Sequence, residues 1–181
     1  NMSNKFEAGF IAMVTPKLEV LTIRSTRPNL EIELPGGGAE HNEKKVQDTA
    51  FRETFEEAGV DCSAFKPLGA VGFLSRIRQT YTGLLVVRLS SQDHKKINFG
   101  FTGPETSSIQ LTALEALASM PTYEEDPTAS EFTFRGHRVM AAAALGIATN
   151  QVPDSSVDFF TPPFESTYLQ DRLSAYYETS V

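Results

Sequence analysis

A chain of 181 residues, 40% hydrophobic and 22% charged, has the balance of a soluble globular domain with a sizeable core, which argues against disorder for the bulk of it. Its net charge of −7 speaks against a non-specific nucleic-acid coat, which is basic, yet leaves room for a nucleotide substrate, because cations bound to carboxylates reverse the local sign. One cysteine, Cys62, rules out an internal disulfide, three histidines without ligand spacing disfavour a zinc site, and no run of about 18 apolar residues points to a membrane span.

The N-terminal residues 1–5 carry no hydrophobic segment of the signal-peptide type, so a cytoplasmic location is the default expectation. Residues 6–14 and 18–24 are β-prone and separated by Pro16 and Lys17, which predicts two strands joined by a short turn. Residues 30–34 predict a short third strand, ended by Pro35 and the run Gly36-Gly37-Gly38, whose backbone is free to approach a ligand closely. A helix is expected over 44–58, with Val46, Ala50 and Thr54 on one stripe, Phe51, Phe55 and Ala58 beside it, and Gly59 as its C-cap. Two more strands are expected at 68–74 and 81–89, the second a continuous apolar run suited to the middle of a sheet. A weak strand at 109–111 runs into a helix at 112–120, and a further helix covers 136–147. Looser stretches occupy 90–108 and 121–130. The tail from Asn150, with three prolines and Tyr168, Tyr176 and Tyr177, is expected to pack over the domain or to pair with a second copy in a homodimer. Without repeats or a clear linker, residues 1–181 read as a single domain.

The segment from Gly37 to Val60 carries the chemistry. On a helix, Glu56 and Glu57 stand three and four residues after Glu53, so the three carboxylates share a face. That grouping is unfavourable unless positive charge compensates. Arg52 supplies one charge, and cations must supply the rest. All-oxygen ligands favour Mg²⁺ or Mn²⁺ over zinc. The glycine loop can bring carbonyls to the same ions, and metals so held bind diphosphate oxygens and acidify a water, while a carboxylate at the edge takes the proton. Taken alone, a helix with these residues is as readily a solvated face.

Strand, Pro-Gly-Gly-Gly, acidic loop and Arg-Glu-x-x-Glu-Glu-x-Gly-hydrophobic together resemble the Nudix box. Arg52, Glu53, Glu56, Glu57, Gly59 and Val60 match its second half. Two positions depart from it. Thr54 stands where an aliphatic residue is usual, and eight residues rather than seven separate Glu43 from Arg52. A one-residue insertion at the loop–helix junction, with Glu43 as the acidic residue, accounts for the second. The resemblance implies an α/β/α sandwich around a mixed β-sheet, with the box as loop–helix–loop. It further implies an Mg²⁺- or Mn²⁺-dependent hydrolase that cleaves a phosphoanhydride bond with water. Carried over, Glu53, Glu56 and Glu57 are metal ligands with a carbonyl of Gly37 or Gly38, and Arg52 is the orienting residue, with Glu43 as its partner. The base stays open among Glu53, Glu105, Glu124 and Glu125.

The segment Arg76-Ile77-Arg78-Gln79-Thr80-Tyr81 is similar to one in the diphosphoinositol polyphosphate phosphohydrolases, a branch that also takes dinucleoside polyphosphates and, in some members, RNA caps. That implies a phosphorylated small molecule or a capped RNA end as partner. Arg76, Arg78, Lys44 and Lys45 would bind its phosphates, joined by Arg24 and Arg27 if the fold brings them together; Arg76 and Arg78 would serve as well on a solvated strand edge. Nucleotide-sugar hydrolysis and a catalytically silent nucleotide-binding module remain the other readings. Arg135, His137 and Arg138 form a small basic cluster at a helix start, suited to the surface or to phosphate.

Overall fold

The structure, a computed structural model, describes residues 5–75, 80–150 and 164–167. In chain order it runs β1 (Lys5–Val14), β2 (Glu19–Ser25), β3 (Ile32–Glu33), β4 (Gly36–Gly38), α1 (Val46–Ala58), β5 (Pro67–Ser75) and β6 (Thr80–Arg88), then α2 (Ser91–His94), β7 (Thr106–Ala113), α3 (Leu114–Ser119), α4 (Arg135–Ala148) and β8 (Phe164–Thr167).

β1 and β6 lie side by side at the middle of the sheet. β1 and β6 pair in parallel, Ile11 opposite Leu85 and Met13 opposite Val87, and the other pairings are antiparallel, so the sheet is mixed, in the order β3-β2-β1-β6-β5-β8 with β4 added to β1 and β7 to β2. Side chains alternate along β1. Ile11 and Met13 join Val46 and Ala50 of α1 in one core, while Ala12 and Val14 join Leu114 and Leu117 of α3 and Val139 and Ala143 of α4 in the other. All four strand residues are fully buried. Helices therefore cover both faces, the expected α/β/α sandwich, and this double burial explains why 81–89 reads as a continuous apolar run.

A row of glycines crosses this sheet. Gly37 of β4 lies opposite Gly9 of β1, Gly9 opposite Gly83 of β6, and Gly83 opposite Gly72 of β5. The row receives the first turn of α1. A Cβ on Gly9 would lie 2.7 Å from the Val46 carbonyl oxygen, and one on Gly83 2.5 Å from Val46 Cγ1. The bare backbone lets the helix descend onto the strands.

Several expectations need adjustment. The strands at either side of Pro16-Lys17 do turn back, but their registered contact is Val14 opposite Val20; β1 spends its length on β6, and β2 on β7. The three glycines form an edge strand rather than an open loop. The helix begins at Val46, not residue 44, because Asp48 accepts the Lys45 N–H at 3.3 Å and closes the N-terminus there. Phe55, expected beside the buried stripe, is 61% exposed. The weak strand at 109–111 is a full strand, Thr106–Ala113, because β2 supplies a partner along its length, and the stretch 90–108 holds the short α2. Gly59 caps α1 as expected, with φ 68° and its N–H on the Phe55 carbonyl. Of the tail, Phe164–Thr167 pairs with β5; its remaining residues beyond Asn150 lie outside the described ones.

Gly9→Ala sets a methyl against helix backbone that has no rotamer to yield, and an overpacked core position of this kind costs about 1–3 kcal/mol. Urea denaturation is expected to show that loss as a lowered midpoint. An unchanged midpoint would mean that α1 does not sit on β1 as described.

Candidate functional site

The site forms where α1 passes β4. A Cβ at Gly37 would lie 2.7 Å from Glu53 Oε1, so glycine there lets the carboxylate settle on strand backbone. One turn on, Glu57 is 8% exposed, and its Oε1 accepts the Gly36 N–H at 2.8 Å. A third carboxylate comes from another part of the chain. Thr106 at the start of β7 donates its hydroxyl to the Glu57 carbonyl at 2.6 Å, which brings the preceding Glu105 to α1. One oxygen each of Glu53, Glu57 and Glu105 lies within 4.8 Å of the others.

Arg52 ties the edge together. Glu43 grips its guanidinium in a fork, Oε2 to Nε at 2.9 Å and Oε1 to Nη2 at 3.0 Å, and also accepts the Thr49 hydroxyl at 2.8 Å. The other Arg52 contacts are Glu53 at 3.1 Å, Glu56 at 3.3 Å, the Gly38 carbonyl at 3.1 Å and, more loosely, Glu40 at 3.5 Å. Glu43 thus reaches Arg52 across the longer spacing. The fork holds its carboxyl down at about 2 and the guanidinium firmly protonated.

Glu56 shares the helix face but stands outside the trio, its side chain 56% exposed and paired with Arg52. The Gly38 carbonyl faces Arg52. Glu125 is forked onto Arg138 at 2.8 and 3.0 Å, and Glu124 is exposed; neither belongs to the trio. Lys44 is exposed, its ammonium 3.5 Å from the His41 carbonyl, and Lys45 is the residue before α1. Arg76 and Arg78 lie outside the described residues. Of the basic cluster at 135–138, Arg138 and Arg135 both pair with Glu125, at 2.8 and 3.8 Å, while His137 is buried and accepts the Leu34 N–H on Nδ1 at 2.9 Å.

Sequence reasoning passed over Glu33. It is buried beside the cluster and paired with Arg27 at 2.6 Å. Burial lifts its carboxyl to about 6 despite Arg27. No signal in the sequence marks it, because Leu30-Glu31-Ile32-Glu33-Leu34 alternates strictly and alternation assigns both glutamates to a solvent face, whereas both are buried.

The family is evident from this fold and site. The NUDIX domain profile matches residues 5–134. No curated protein matches the sequence. Among solved structures, a C. elegans Ap4A hydrolase in a binary complex is 13% identical, with a TM-score of 0.57 over 80% of this chain and 99% of its own. A mutT/nudix family protein from Listeria innocua is 17% identical, with a TM-score of 0.54 over 82% and 96%. Shewanella oneidensis NrtR complexed with a 27mer DNA is 17% identical, with a TM-score of 0.51 over 80% of this chain and 62% of its own. The chain belongs to the NUDIX domain family.

The trio is costly to the fold. Burial pushes the Glu57 carboxyl up to about 8 against the lowering effect of the Gly36 N–H, and Glu53, Glu33 and Glu105 add repulsion. Glu53 is raised as well, chiefly by burial and against the pull of Arg52. The folded chain thus keeps on Glu57 a proton that the unfolded chain, with an ordinary value of 4.5, has released. The stability tied to that proton is complete below the unfolded value and is lost as pH rises through about 8. In chelator, melting temperature should fall as pH rises from about 5 to about 8 and level off above that. Glu57→Gln keeps an oxygen for the Gly36 N–H and carries no charge, so it should flatten that fall. An equally steep fall in this variant would assign the titration to another group.

Proposed function

We propose that the chain is a pyrophosphohydrolase that uses Mg²⁺ or Mn²⁺ and water to cleave a diphosphate-linked substrate. The observation that carries this reading is the gathering of Glu53, Glu57 and Glu105 oxygens within 4.8 Å. Carboxylates so close repel one another, the more so with Glu57 buried, and their donor set, all oxygen, fits a hard divalent cation. Glu53, Glu57 and Glu105 would hold it, with Glu56 and a carbonyl of Gly37 or Gly38 as further ligands. Such a cation, when bound, neutralises phosphate charge and acidifies water.

The chain's own part in the reaction is positioning and proton transfer. Arg52, fixed by Glu43, holds Glu53 in place from its outer side. Glu53 or Glu105 takes a proton as the oxygen of water bonds to phosphorus. The anhydride P–O bond then breaks, and the bridging oxygen leaves on the second phosphorylated product. For substrate, the 76–81 segment favours a dinucleoside polyphosphate or a diphosphoinositol polyphosphate, with capped RNA and nucleotide sugars as the next candidates.

The test is a turnover screen over these substrates with Mg²⁺ and with Mn²⁺. Glu57→Gln and Glu53→Gln are each expected to lower kcat by about 100-fold or more, whereas Glu125→Gln, distant from the trio in its bonding, should leave it unchanged. Parent-level turnover by Glu57→Gln would refute the site. Absence of turnover across the panel, in folded protein that binds the metal, would favour a nucleotide-binding module instead.

A further inference from the structure

We infer that Arg27 and Phe134 form a stacking platform for the aromatic base of a nucleotide substrate, set beside the carboxylate trio; this rests on the hydrolase reading for where the phosphates lie. Phe134 is a large apolar side chain left 37% exposed, and the Arg27 guanidinium carbon stands 5.2 Å from its ring centroid. Arg27 itself is 58% exposed. A cation–aromatic pair that is open on its outer side offers a flat, polarisable surface to a third ring.

Both members are held in place. Phe134 directly precedes α4, where the Thr133 hydroxyl donates to the Ile32 carbonyl at 2.6 Å and the Ile32 N–H to the Phe132 carbonyl at 2.8 Å. The buried His137 ring lies 6.1 Å behind it. Arg27 is fixed from its edge, where Nη1 donates to Glu33 Oε2 at 2.6 Å. That contact favours one ligand class. A phosphate would need the guanidinium edge and would meet the Glu33 carboxylate, whereas a neutral planar ring takes the face and leaves the ion pair intact.

The platform also lies within reach of the chemistry. Glu33, which anchors Arg27, is three residues before Gly36, whose N–H holds Glu57 at 2.8 Å. Three residues of extended chain span at most about 10 Å. A nucleoside carrying one or two phosphates can bridge that gap, base on Arg27 and Phe134, phosphates at the trio.

Adenosine monophosphate and ribose 5-phosphate differ by the base alone, so calorimetric titration of the full chain with each isolates the platform from catalysis. With Mg²⁺ present, the nucleotide should bind about tenfold or more tightly than the sugar phosphate. Phe134→Ala should erase most of that advantage and Phe134→Trp should keep it, with melting curves confirming that both variants fold. Equal affinity of the two ligands for the parent, undetectable binding of the nucleotide, or an advantage that survives Phe134→Ala would overturn the platform. Turnover of inorganic tripolyphosphate, which has anhydride bonds and no base, reports on the trio separately. Its failure beside a retained base preference would count against the hydrolase reading and not against the platform.

Discussion

The close approach of α1 to the sheet sets where the carboxylates of this molecule come to lie. Gly37, Gly9, Gly83 and Gly72 are aligned by strand register, and Val46 sits in the trench they leave. Once that first turn is seated, the rise of the helix determines what each later residue meets. Val46 and Ala50 close one core, Glu53 comes to rest on Gly37, and Glu57 reaches the Gly36 N–H. A larger side chain in the row would lift the helix and separate those carboxylates from the strand.

The seating opposes local stability. A buried carboxylate loses hydration that one backbone N–H only partly replaces, and Glu33, Glu53 and Glu105 worsen matters for Glu57. Compensation is placed unevenly. Arg52, with its contacts to Glu43, Glu53, Glu56 and Gly38, neutralises the outer side, and Arg27 faces Glu33 on the other. Between them the trio keeps excess negative charge. The fold tolerates the strain because two apolar cores, one on each face of the sheet, supply the cohesion.

Much of the scaffold was legible from periodicity. The stripe Val46, Ala50, Thr54 and the cap at Gly59 locate α1, and the apolar run 84–87 places β6 inside the sheet. Helical spacing puts Glu53, Glu56 and Glu57 on a common face, although it could not say that Glu56 turns outward to Arg52 while Glu57 turns inward. What escaped were relations between distant segments. Glu105, named from sequence only as one of four candidate bases, joins the site through Thr106, forty-nine residues from its partner Glu57, and Glu33 through strand pairing. The purpose of Gly9 and Gly83 shows only once register aligns them. Phe55 misled because spacing along a helix gives an angle, not what the neighbouring elements cover.

The extra residue between Glu43 and Arg52 stays in the turn before α1. Glu43 accepts the Glu40 N–H on Oε1 at 2.8 Å, and its own N–H returns to the Glu40 carbonyl at 2.9 Å. Lys44 and Lys45, between this closed turn and the start of α1 at Val46, take up the added length, while the Glu43 side chain still spans to Arg52. Loop length and helix register are therefore independent variables in this scaffold. A pattern that demands a rigid count across the junction would pass over this chain, and over any relative whose turn is lengthened in the same way, although the helix and its ion pair are intact.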